Sequence, residues 1–193
     1  MKFTTNNFGA KDNQIITFQN TVIKGKIGTG KTTALLHILN AIADDESAQI
    51  RRAVFISTFP VECPMAYYEP DCKNFINRAI AVLMECKDNV PTAIFLDDAS
   101  FVGQGDGVAL QRKLLSTAIE EAQKYNVLIF IGIHSSVDAS TFVPMEHFAE
   151  AESVRKGLTY FIKDSHDRSA NFDMINDTFD KKVTDALMRI NNK

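Results

Sequence analysis

Short, almost uninterrupted apolar runs alternate along the chain with longer stretches in which apolar residues return every three or four positions. The short runs predict β-strands over residues 14–18, 21–24, 53–57, 92–96, 127–133 and 158–162. Most are apolar on both faces, with TAIFL and IFIGI the clearest, as in parallel strands covered on each side by crossover helices. The longer patterns predict helices over 31–43, with Leu35, Leu36, Ile38, Leu39 and Ile42 in a stripe, and over 74–86, with Phe75, Ile76, Ala79, Ile80 and Leu83. A third spans 108–125, and a fourth, over 180–190, puts Val183, Leu187 and Ile190 on one face. Three of the five prolines lie in 59–71, which reads as an irregular connection, as does part of 136–157. The pattern predicts an α/β protein, a three-layer sandwich with a mostly parallel central sheet.

The sharpest chemical signal stands between the second strand and the first helix. Gly25-Lys26-Ile27-Gly28-Thr29-Gly30-Lys31-Thr32 satisfies G-x-x-x-x-G-K-[ST], directly after TVIK and directly before an amphipathic helix. Glycines let successive backbone N–H groups curl around a phosphate, and the helix N-terminus adds its unpaired N–H groups and the positive end of its dipole. In this arrangement Lys31 reaches the β- and γ-phosphates, the Thr32 hydroxyl ligates Mg²⁺, and Thr33 contacts the α-phosphate side. The motif predicts nucleoside triphosphate binding.

A second signal is the strand TAIFL running into Asp97 and Asp98. In an open α/β sheet, ligands bind at the carboxyl ends of the strands, so an acidic pair there stands beside the phosphate loop. Asp97 is the expected Mg²⁺ carboxylate, and Asp98 the expected base for an attacking water, or otherwise a turn carboxylate. The strand over 127–133 ends at His134. If it lies between the strands bearing the loop and the acidic pair, His134 meets the γ-phosphate as a sensor; otherwise His134, Ser135 and Ser136 simply begin a turn.

Composition narrows the setting. The 193 residues are 45% hydrophobic and 23% charged, the composition of one globular unit, with residues 1–20 as an N-terminal extension and about 171–193 as a helical arm. A net charge of −3 excludes a whole-molecule basic field, so any nucleic-acid contact is local. Cys63, Cys72 and Cys86 form no C-x-x-C pair, which argues against a zinc site or a disulfide framework and for a reducing, cytoplasmic setting. No apolar run approaches the length of a membrane span, and the first residues lack the apolar stretch of a signal peptide.

Among phosphate-loop proteins a GTPase is disfavoured, because no N-K-x-D motif occurs. The seven arginines do not cluster as in a kinase lid, and Asp167-Arg168-Ser169 follows the last expected strand. A small nucleotide or nucleoside kinase, and an ATP-controlled partner-loading switch with little turnover, remain alternatives to an ATP hydrolase. The stretch from Asp97 to Ser140, DDASFVGQGDGVALQRKLLSTAIEEAQKYNVLIFIGIHSSVDAS, is similar to the FtsK/HerA family of DNA-translocating ATPases. The likeness extends over about 21–162. It departs from the family's pattern where the acidic pair ends in Asp98 rather than Glu, and where the sensor glutamine is replaced by His134 or Ser135. The compact length resembles small viral genome-packaging ATPases of that superfamily, which would set the chain in a host cytoplasm or a virion. The resemblance implies a RecA-like P-loop NTPase fold and ATP with Mg²⁺ as cofactors. It also implies a homo-oligomeric ring, double-stranded DNA in the pore, and an arginine supplied in trans. Arg112 is the first candidate for that arginine, with Arg155 and Arg168 as others. Gly103-Gln-Gly-Asp-Gly107 would then be a substrate-facing loop or, failing that, an ordinary long turn.

Overall fold

The computed structural model describes residues 3–5, 16–44, 50–61, 63, 66–99, 108–156, 159–164 and 169–172. Ten strands and three α-helices lie among them. The strands are β1 (Phe3–Thr5), β2 (Ile16–Phe18), β3 (Thr21–Gly25), β4 (Arg52–Ser57), β5 (Ala66–Tyr68), β6 (Thr92–Asp97), β7 (Val127–His134), β8 (Ala149–Lys156), β9 (Thr159–Asp164) and β10 (Ser169–Phe172). The helices are α1 (Lys31–Asp44), α2 (Cys72–Glu85) and α3 (Val108–Ala122).

Eight strands form one sheet in the order β10-β9-β8-β3-β7-β6-β4-β5. The six from β8 to β5 are parallel, and β9 and β10 continue the sheet antiparallel beyond β8. Alternate residues of each central strand feed opposite faces. Ile23, Phe55, Phe95 and Phe130 pack with Leu35, Ile38, Leu39 and Ile42 of α1. Val22, Val54, Ile94, Ile129 and Ile131 pack with Phe75, Ile76 and Leu83 of α2 and with Leu115 and Ile119 of α3. The result is the expected three-layer α/β sandwich with a mostly parallel central sheet. On the α1 side, neighbouring rings of Phe55, Phe95 and Phe130 stack at centroid distances of 5.8 and 5.0 Å. Their offset-stacked geometry adds to the area that each buries.

Several elements differ from their sequence expectation. Residues 14–18 do yield β2, but it pairs with β1 in a separate antiparallel sheet rather than joining the main one. The proline-rich stretch 59–71 contributes β5, which pairs along β4 at the edge of the sheet. The stretch 136–157 contributes β8, paired in parallel with β3. Its Ala149-Glu-Ala-Glu-Ser153 alternates, with Ala151 and Ser153 buried and Glu150 and Glu152 exposed, so a search for wholly apolar runs passes over it. Helix α2 begins at Cys72, two residues earlier than expected, because the Asp71 carboxylate accepts the Asn74 N–H at 3.0 Å and caps the first turn. Asn171 and Phe172, expected to open a helical arm, are strand residues of β10; 173–193, with the helix expected over 180–190, lie outside the described residues. Among the described residues no helix is long and apolar enough to cross a membrane.

Candidate nucleotide-binding site

The loop after β3 obtains its shape from a few positions. Gly28 and Gly30 take φ of 76° and 87°, left-handed values that side chains resist. A Cβ on Gly25 would overlap the Thr29 hydroxyl and stand 2.9 Å from the Ser153 carbonyl oxygen, so only glycine lets the loop lie against β8. The Lys31 ammonium donates to the carbonyl oxygens of Gly25 and Lys26, each at 3.1 Å, and is thereby held over the loop. Thr29 donates to the Lys26 carbonyl at 2.8 Å, and its own carbonyl accepts from Ser153 at 2.5 Å. Ile27 stands 89% exposed at the tip. Thr32 and Thr33 lie in the first turn of α1, whose start at Lys31 turns its unpaired N–H groups toward the loop.

The acidic pair stands at the carboxyl end of β6. Asp97 is fully buried, and its Oδ2 accepts from the Thr32 hydroxyl at 2.9 Å and from the Ser57 hydroxyl at 3.1 Å. Its Oδ1 is buried and has no hydrogen-bond partner among the described residues. A Cβ on Gly132 of β7 would come within 3.3 Å of that oxygen. Asp98 follows with φ of 56°, a left-handed conformation that aspartate tolerates better than most side chains, and its Oδ2 accepts from Thr58 at 3.4 Å.

Burial pushes the Asp97 carboxyl up to about 6, and the Asp98 charge adds to the rise, while the Thr32 and Ser57 hydroxyls and Lys31 oppose it. A carboxyl whose pKa is higher folded than unfolded binds its proton more tightly in the fold. Stability is therefore greatest below the ordinary value of 3.8 and declines as pH rises to about 6. In metal-free protein the wild type should lose about 3 kcal/mol over that window relative to Asp97→Asn. Urea unfolding of both proteins from pH 4 to 7 measures the difference, and parallel pH profiles would contradict it.

The residues present fit a hard divalent cation. A threonine hydroxyl and a carboxylate are the oxygen donors such ions take, the buried Oδ1 is an acceptor without a hydrogen-bond partner among the described residues, and Gly132 spares it a Cβ contact at 3.3 Å. Thr32 and Asp97 would hold the ion.

Strand β7 lies between β3 and β6, the arrangement on which a sensor role for His134 depends. His134 pairs with Gly25 in the ladder, so it stands beside the start of the loop. Its Nδ1 accepts the Ser136 N–H at 3.2 Å and lies 2.7 Å from the Ser136 hydroxyl, an arrangement that leaves the ring N–H on Nε2. Ser135 donates its N–H to the Gly25 carbonyl at 3.2 Å, tying this turn to the loop. Arg112 lies in the second turn of α3, near the exit of β7. There Asp138 is held below the usual carboxylate range by the Ser140 hydroxyl and N–H, with Lys24 and Arg112 assisting. Arg155 is a β8 residue paired with Tyr160 of β9. Arg168 and the loop from Gly103 to Gly107 fall outside the described residues. Tyr67 of β5 lies under the Arg78 guanidinium at 4.6 Å. His37 of α1 is lowered to about 4 by burial and is neutral at pH 7.

Four residues of the site were not singled out from the sequence: Ser57, Thr58, Gly132 and Ser153. A signal for two of them is present. Phe55-Ile-Ser57, Phe95-Leu-Asp97 and Phe130-Ile-Gly132 are the same phrase, an aromatic, an aliphatic and then a small or polar residue. Phe55 pairs with Phe95 and Phe95 with Phe130, so the third positions share one face at the sheet's carboxyl edge.

No family model matches the chain, and no curated protein is similar to it in sequence. Solved structures do share its fold. The cytoplasmic domain of the type VII secretion ATPase EccC of Thermomonospora curvata superposes with a TM-score of 0.56 at 10% identity, over 90% of this chain and 26% of that one. The cytoplasmic domain of EssC gives 0.56 at 9% identity, over 90% of this chain and 42% of that one. The chain thus spans less than half the length of either. The genome packaging NTPase B204 of Sulfolobus turreted icosahedral virus 2, solved with sulfate, gives 0.53 at 9% identity, over 82% of this chain and 98% of that one. These likenesses establish that the chain has the fold of the P-loop ATPases.

Proposed function

We propose that residues 1–193 form one magnesium-dependent ATPase domain of the FtsK/HerA type that translocates or packages double-stranded DNA as a homo-oligomeric ring. The observation that supports this most strongly is the strand order. With β7 between β3 and β6, the phosphate loop, the acidic pair and His134 meet at one edge of the sheet. The similarity in fold to a viral packaging NTPase, 98% of which this chain covers, supports the same reading.

In this reading the backbone from Gly25 to Gly30, with Thr33, wraps the phosphates, and Lys31 lays its charge on the β- and γ-phosphate oxygens. Magnesium, when bound at Thr32 and Asp97, supplies positive charge to the phosphate oxygens. Asp98 accepts the proton of a water whose oxygen attacks the γ-phosphorus as the bond to the β-phosphate oxygen breaks, releasing ADP and inorganic phosphate. His134 reports the presence of the γ-phosphate, and Arg112 from a neighbouring copy offsets the charge that develops on it. Work on DNA sets the chain in the cytoplasm, or in a host cytoplasm or virion if its source is viral.

Phosphate release with Mg²⁺ and ATP, measured with and without long duplex DNA, tests the proposal. Turnover should rise several-fold with DNA. Low release indifferent to DNA would overturn the motor reading and favour the switch with little turnover. That rival draws on the shorter carboxylate of Asp98 and its left-handed backbone.

A further inference from the structure

We propose that Ser57 is a positioning residue for the divalent cation: it holds the Asp97 carboxylate in the one orientation that leaves Oδ1 open to the ion. The inference rests on the nucleotide-binding reading above and deepens it.

Ser57 is the last residue of β4 and is fully buried. It pairs with Asp97 in the β4–β6 ladder, so both side chains leave the sheet on the same face. The Ser57 Oγ accepts the Phe59 N–H at 3.1 Å, which leaves its single hydrogen for the Asp97 Oδ2, also at 3.1 Å. The hydroxyl is therefore locked as acceptor on one side and donor on the other.

That lock matters because the last torsion of aspartate is broad and two-fold, and rotation about it exchanges the two oxygens. Thr32 also donates to Oδ2, at 2.9 Å, but its hydroxyl is required at the ion and is free to turn about its own Cβ–O bond. Ser57 is the donor that remains with Oδ2 whichever way Thr32 turns. Both donors on one oxygen leave the other without a hydrogen-bond partner among the described residues, beside a backbone position where Gly132 adds no Cβ to crowd it. A buried carboxylate satisfied on one side only is an unbalanced arrangement for a protein interior, and a cation at Oδ1 restores the balance.

The test separates metal binding from nucleotide binding. A fluorescent, non-hydrolysable ATP analogue is titrated in EDTA, and then Mg²⁺ is titrated into the analogue complex, for wild type, Ser57→Ala and Ser57→Cys. Cysteine nearly conserves the volume while donating poorly, so it serves if alanine fails to fold. Loss of an outer partner of this kind weakens metal affinity about 10- to 100-fold, and that shift is expected in both variants with analogue affinity in EDTA unchanged. Unchanged Mg²⁺ affinity, or equal losses with and without Mg²⁺, would overturn the inference. Unfolding of both variants at the assay temperature would also overturn it, by assigning Ser57 to the fold alone. Failure of the wild type itself to bind the analogue would instead sink the nucleotide-binding reading.

Discussion

Replacing Lys31 with alanine should lower ATP turnover by roughly 10²- to 10³-fold, the usual loss when one preorganised donor aimed at developing charge is removed. The ammonium is held over the loop by the Gly25 and Lys26 carbonyls, so its place is set before any phosphate arrives. The fold should scarcely notice the change. Lys26 is exposed and its carbonyl already accepts from Thr29, while the Gly25 carbonyl keeps the Ser135 N–H. Thermal melting should therefore move within about 0.5 kcal/mol of the wild type. Parallel assays of phosphate release and melting check both halves. Full turnover in the variant would remove the loop from the chemistry, and a large loss of stability would show that Lys31 serves the fold.

Phe95→Ala should have the opposite profile. Its ring lies between those of Phe55 and Phe130 and is wholly buried, so truncation opens a cavity in the middle of the α1-side core. Such truncations cost about 3–5 kcal/mol. For a chain of this size that lowers the melting temperature by roughly 6–20 °C. Phe59 provides the contrast: at 55% exposure just beyond β4, its replacement by alanine should stay within about 0.5 kcal/mol. Urea unfolding of the two variants beside wild type measures the difference. Equal, small losses would mean that the stacked row contributes little beyond filling space.

The fold was legible where a strand is apolar on both faces. TAIFL and the run ending IFIGI announce β6 and β7 because each is covered by helices on two sides, and no other environment tolerates such sequences so well. Strand β8 hides behind its alternation of glutamates with alanine and serine, and β5 behind prolines and two tyrosines at an open edge. The site divides in the same way. Glycine, lysine and threonine at fixed intervals name the phosphate loop, because the cradle is local: one turn and the helix start that follows it. Asp97 and Asp98 announce themselves as charge at the end of an apolar run.

Ser57, Gly132 and Ser153 carry no charge to mark them, and a serine or glycine within or at the end of a strand is ordinary. Their importance comes from neighbours 40 residues away in the case of Ser57 and Asp97, and 124 away in the case of Ser153 and Thr29. The apolar central strands, the three helices, the phosphate loop and the acidic strand end could be read from the sequence, because periodicity and loop chemistry act over a few residues. Only the tertiary structure decided that β7 separates β3 from β6, that β8 flanks the loop, and that Ser57 grips Asp97. A strand's period of two says which face a side chain occupies, but the identity of its neighbour there depends on pairing between strands far apart in the chain.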